Sequence, residues 1–93
     1  MTVNYKQYES EKAAFLKKHS WIDCSTSPMD EYGRYHKEYI CEDGSIWYEV
    51  MGPEMVSEVV EIKKAQVKVE VKMFRTEFWS SDDSSSKYYY EQF

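Results

Sequence analysis

Four side chains of metal-binding type, His19, Cys24, His36 and Cys41, are the only histidines and cysteines in the chain, and they follow an H-x4-C-x11-H-x4-C spacing. A structural zinc site needs four such ligands converging as a tetrahedron. The spacing works against convergence. His36 and Cys41 stand five apart on an extended segment and so point to opposite faces, and no C-x2-C knuckle brings a pair together. If the first two strands pair around STSPMDEY, Cys24 lies opposite Tyr35, about 20 Å along the strand from Cys41. The expectation is two unbridged thiols, two ordinary histidines and no metal or other cofactor.

A second constellation comes from the hairpin that Asp43-Gly44 announces between RYHKEYICE and IWYEVM. A DG pair between aromatic and branched residues is the strongest short-range hairpin signal. With a two-residue turn, Glu42 faces Ser45, Cys41 faces Ile46, Ile40 faces Trp47, Tyr39 faces Tyr48 and Glu38 faces Glu49. One face then carries Tyr35, Tyr39, Cys41, Ile46, Tyr48 and Val50, the expected core. The other carries His36, Glu38, Ile40, Trp47, Glu49 and Met51. Two carboxylates directly across a sheet repel unless a positive group lies between them. Such a pair beside His36 could work as acid and base or hold a divalent cation. It could equally receive a Lys or Arg from a partner, with Trp47 as the apolar anchor.

Nucleophilic chemistry at Cys24 or Cys41 has weaker support, because neither lies in a Gly-rich turn or at a helix N-terminus, where a thiol is activated. With three glycines in the chain, phosphate-cradling loops are absent by composition. Base stacking on Tyr39, Trp47, Tyr48, Trp79 or Tyr89 has the rings it needs but the wrong charge. Residues 21–62 hold ten acidic against two basic residues, and the net charge is −5. Phosphate binding needs clustered Lys and Arg, so nucleic acid is not the expected partner.

The elements that position these residues begin with one helix, YKQYESEKAAFLKK. Asn4 can cap it, Gln7 can reach back, and Val3 can staple onto Tyr8. Tyr5, Tyr8, Phe15, Leu16 and His19 form its apolar stripe, interrupted by Lys12. Beyond it the pattern is extended: WIDCS, the DG hairpin, then MVSEVVEIKK and AQVKVEVKMF after Gly52-Pro53. Folding back around Lys64-Ala65 sets Ile62 against Val67, Val60 against Val69, Val56 against Met73 and Glu61 against Lys68, with a helix over residues 54–64 as the alternative. A change of apolar parity near Met73-Phe74 predicts a bulge there. SSDDSSS reads as a loop and KYYYEQF as the last strand, in which Tyr88 and Tyr90 point one way and Tyr89 the other.

A chain of 93 residues with 42% hydrophobic and 17% aromatic content folds as one domain, residues 1–93, rather than staying disordered. The fold class is α+β, one N-terminal helix packed on an antiparallel, largely meander sheet of five to six strands. No run is long and apolar enough to cross a bilayer and the N-terminus lacks a leader's apolar core, so a cytoplasmic location is expected. The functional expectation is a non-enzymatic, acidic protein-binding module, of the kind that inhibits or adapts. Its contact residues are Glu38, Trp47, Glu49, Glu42, Asp43 and His36, and its partner presents a basic surface. Mobile-element inhibitors of nucleic-acid-handling enzymes are one class of this kind. The alternative is a small metal- or acid/base-dependent enzyme using the His/Glu/Glu cluster, and the two free edges of a meander also allow pairing between copies.

Overall fold

A computed structural model describes the backbone of residues 3–62 and 65–92, and the side chains among them apart from 56–62, 67–71 and 92. One helix, α1 (Tyr5–His19), precedes five strands, β1 (Trp21–Thr26), β2 (Tyr35–Cys41), β3 (Ile46–Ile62), β4 (Ala65–Ser80) and β5 (Asp83–Gln92). The strands form one antiparallel sheet in the order β1-β2-β3-β4-β5. This is the expected α+β meander, with α1 laid on one face.

The helix starts where its cap residue dictates. The Asn4 side chain accepts a hydrogen bond from the Gln7 N–H at 2.7 Å, satisfying an end donor that has no partner within the helix. It stops at Ser20, whose left-handed φ of 57° lets its N–H bond back to the Leu16 carbonyl. Lys17, Lys18 and His19 occupy the last turn, where positive charge complements the macrodipole. The N-terminal approach is tied to β5 by the Val3 N–H, which donates to the Tyr88 carbonyl at 2.6 Å. Val3, Tyr8, Phe15, Cys41, Trp47 and Phe78 form the buried core between helix and sheet, with Leu16, Tyr39 and Tyr89 packed against it.

Four expectations change. First, Gly52-Pro53 does not divide two strands, because β3 runs continuously through it. Its pairing with β2 ends at Met51, so the proline sits where β3 has no paired strand on that side and its missing N–H breaks no ladder. Second, residues 54–62 are strand, as their alternation predicted and in place of the helical alternative, but the β3–β4 register differs: Ile62 stands against Ala65 instead of Val67, Val60 against Val67 instead of Val69 and Val56 against Val71 instead of Met73. The turn expected around Lys64-Ala65 involves residues 63 and 64, which lie outside the described residues. Third, that register runs unbroken from Trp47↔Ser80 to Ile62↔Ala65, so no bulge interrupts β3–β4 at Met73-Phe74. The irregularity lies instead between Phe78 and Ser80 in the β4–β5 ladder. Fourth, the loop before the last strand shrinks to Ser81-Asp82, and Ser84 to Ser86 belong to β5.

β2 pairs with β3 only as far as Met51, and β5 pairs with β4 only up to Met73. The remainder of β3 and β4 is therefore a two-stranded ribbon beyond the body of the sheet. It accounts for a long axis of 56 Å and a radius of gyration of 16.3 Å, against about 12 Å for a compact chain of this length.

Candidate functional site

The turn at the DG hairpin decides what each face of the sheet carries. Glu42, Asp43 and Gly44 form a three-residue loop closed by Cys41 and Ser45. The Gly44 N–H donates to the Cys41 carbonyl at 3.0 Å and the Cys41 N–H to the Ser45 carbonyl at 2.9 Å. Gly44 has φ of 86°, whereas Ser20 is the only non-glycine with positive φ among the described residues, so Asp43 is not in the conformation a two-residue type I′ turn requires. A type I turn followed by a left-handed glycine adds one residue to the connection. The ladder consequently pairs Ile40 with Ile46, Tyr39 with Trp47, Glu38 with Tyr48 and Lys37 with Glu49.

A slip of one residue moves every side chain of a strand to the other face. Trp47 and Glu49 lie under the helix, 3% and 0% exposed, so neither belongs to a contact surface and the expected Glu38/Glu49 pair does not form. Tyr48 and Val50, expected in the core, stand on the outer face. On β2 the expectation holds for Cys41, which is buried, and for Tyr39, which packs on the core.

The buried Glu49 is the hub of the helix–sheet interface. Its Oε1 accepts from the Tyr8 hydroxyl at 2.5 Å and from the Trp47 Nε1–H at 2.8 Å, and the Lys12 ammonium lies 2.9 Å away. Lys12 also sits over the Tyr39 ring, 4.5 Å from its centroid. Burial alone would lower the Lys12 pKa, but the bonds to Glu49 and Tyr39 outweigh it and hold the ammonium above its ordinary value. Burial, reinforced by the Glu49 carboxylate, pushes the Tyr8 hydroxyl far above the usual tyrosine range and keeps it a donor. The other carboxylate oxygen, Oε2, is buried without a hydrogen-bond partner among the described residues. Two signals for this cluster were present in the sequence: a lysine interrupting the apolar stripe of α1, and a glutamate beside a tryptophan on β3. Nothing in the sequence joined them.

The outer face of the sheet has no helix over it. By register and alternation it carries His36, Glu38 and Ile40 from β2, Ile46, Tyr48 and Val50 from β3, Arg75, Glu77 and Trp79 from β4, and Tyr88 and Tyr90 from β5. Tyr48 and Trp79 are cross-strand partners, His36 lies 5.6 Å from the Tyr48 ring, and Tyr88 and Tyr90 are near-parallel at 6.5 Å. The tyrosine triple divides as its alternation required, since Tyr89 faces the core. Arg75 donates to Glu54 at 2.9 Å and to Glu77 at 2.8 Å and lies over the Tyr88 ring at 4.6 Å. One cation is thus shared by two carboxylates. Glu54 Oε2 remains buried without a hydrogen-bond partner among the described residues, beside a small cavity of ≈ 110 Å³ that Arg34 and Arg75 also line. Glu38 makes no hydrogen bond or ion pair among the described residues.

At the hairpin tip, His19 ties the end of α1 to two turns. Its Nδ1 lies 2.6 Å from Asp43 and 3.1 Å from the Ser45 hydroxyl, and its Nε2 lies 2.8 Å from Asp82. Hydrogen bonds to Asp82 and Asp43 raise the His19 pKa, and the bond to His19 leads the causes that bring Asp43 down to about 2. Asp43 is therefore engaged within the fold, while Glu42 is exposed and its N–H donates to the Ser20 carbonyl. Cys24 pairs with Tyr39, not Tyr35, because β1 runs on to Thr26 and the connection to β2 is correspondingly placed. It is exposed while Cys41 is buried, and both are free. His36, Glu38 and Glu49 do not assemble either, since the sheet lies between the first two and the third. Among the described residues no group of three or more His, Cys, Asp or Glu side chains is arranged to hold a metal ion, and no helix is long and apolar enough to cross a membrane. No protein-family model, curated protein or solved structure matches the chain.

Proposed function

We propose that the chain is a non-enzymatic protein-binding module that docks the open outer face of its sheet on a basic surface of a macromolecular partner. The observation that carries this reading is the aromatic row Tyr48, Trp79, Tyr88 and Tyr90, half-buried on the face that no helix covers and set beside Glu38, which has no ion pair among the described residues. Amphipathic rings anchor interfaces because they bury a large area at small conformational cost. Glu38 offers an acceptor to incoming Lys or Arg donors, and the exposed Glu42 extends the acidic rim toward the hairpin tip. His36 stands beside Tyr48 and belongs to the same patch. An inhibitor that occupies the basic groove of a nucleic-acid-handling enzyme is one module of this chemistry, favoured by the net charge of −5. The enzymatic alternative has lost its constellation, because Glu49 is on the other side of the sheet.

Capture from the native cell supplies a partner, and the outer-face variants decide whether this surface holds it. Tyr90→Ala and the double charge reversal Glu38→Lys, Glu42→Lys should each weaken binding roughly tenfold or more, the latter with a flatter salt dependence. Binding that survives both changes with its salt dependence intact would sink the reading, as would a captured partner that proves to be nucleic acid alone.

A further inference from the structure

Along the N-terminal half of α1 the helix does not seal onto the sheet, and a groove of ≈ 560 Å³ remains open there, on the side opposite the aromatic row. This is within the range of small-molecule sites, roughly 300–1,000 Å³. Leu16, Met51 and Phe74 supply apolar wall. Tyr5 and Tyr89 stand with ring centroids 5.3 Å apart, and Tyr8 lies 6.3 Å from the first and 6.2 Å from the second. Glu9 and Glu91 line the same groove, both are exposed, and neither has an ion-pair partner among the described residues. The one cation among the described lining residues, Lys12, is already held by Glu49 Oε1 at 2.9 Å and is not available to attract an anion.

Tyrosine faces and carboxylates both favour positive charge, and the apolar wall favours a hydrocarbon body. We infer that the groove binds a small organic cation, an ammonium carried on an aryl or alkyl chain. The chain lies against Leu16 and Met51, and the ammonium rests at the Tyr5 and Tyr89 rings between Glu9 and Glu91. Lys12 and its buried partner cancel, so the two rim carboxylates set the sign of the selectivity.

Three ligands of one shape test this: phenylbutylammonium, phenylbutanol and phenylbutanoate, titrated by calorimetry and by chemical-shift changes in the tyrosine rings. The ammonium should bind roughly tenfold more tightly than the alcohol, and the carboxylate should bind more weakly than both. Glu9→Gln with Glu91→Gln should bring the ammonium and alcohol to within about threefold of each other while leaving the alcohol unchanged. Both glutamates are exposed, so an unchanged melting temperature certifies that the variant is folded. Equal affinity for ammonium and alcohol, a preference for the carboxylate, or no binding of any of the three at millimolar concentration overturns the assignment. The site lies on the helix side, so none of these outcomes bears on the outer-face reading.

Discussion

Replacing Lys12 by methionine should be far more damaging than replacing Lys12 and Glu49 together. The methionine keeps most of the lysine stem's packing but leaves the Glu49 carboxylate, 0% exposed, with only the Tyr8 and Trp47 donors. Breaking a buried pair by removing one partner costs about 3–5 kcal/mol. Lys12 is 22% exposed, so water reaches its end of the pair and screening brings the cost to the bottom of that range or just below it, about 2–3 kcal/mol. A domain of this size has roughly 5–14 kcal/mol of stability in total, so Lys12→Met should lower the melting temperature by about 10–20 °C. The double variant Lys12→Met, Glu49→Gln removes both charges and keeps an amide oxygen for Tyr8 and Trp47. It should fall within about 1 kcal/mol of the native protein. Thermal and urea unfolding at pH 7 provide the assay. If Lys12→Met melts no lower than the double variant at pH 7, Glu49 is not held as a buried anion by Lys12, and the account of the helix–sheet interface is wrong.

The pH profile of stability should carry the signature of His19. Its raised pKa adds stability that is complete below the ordinary histidine value and is lost as pH rises through the folded value. Asp43, brought down to about 2, and Asp82, also lowered, add stability that is complete above the ordinary carboxylate range and is lost as the solution becomes strongly acidic. His19→Gln should flatten both flanks, as measured by melting temperature from pH 3 to pH 9, and an unchanged alkaline slope refutes the assignment. Gly52→Ala should destabilise by about 1–3 kcal/mol, because the added Cβ would stand 2.9 Å from the Arg34 Cα and 2.7 Å from its Cγ. A urea midpoint equal to that of the native protein would show that Arg34 retreats freely.

Local chemistry was legible residue by residue. Asn4 and Val3 announce the helix start, Lys17 to His19 its end, and the β-branched alternation of residues 54–72 gives strand. Asp43-Gly44 marks a hairpin, and the alternation of Tyr88, Tyr89 and Tyr90 assigns their faces. All of these rest on interactions within a few residues of the chain, which the sequence states directly. The candidate site was harder to read because it depends on register. One residue in the loop decided whether Trp47 and Glu49 or Tyr48 and Val50 faced out, and Asp-Gly suits both a two-residue turn and the second half of a three-residue loop. Apolar content did not arbitrate, since both faces of β3 are aromatic and each carries a buried or half-buried ring.

The sequence by itself determined that this is a capped helix followed by antiparallel strands in order, with acidic residues gathered between positions 21 and 62. Only the tertiary structure decided which side of the sheet the helix covers. The reason is the pairing of Lys12 with Glu49 across a separation of 37 positions in the chain: a carboxylate is stable inside only where a cation and two donors converge on it, and that convergence exists in no local segment.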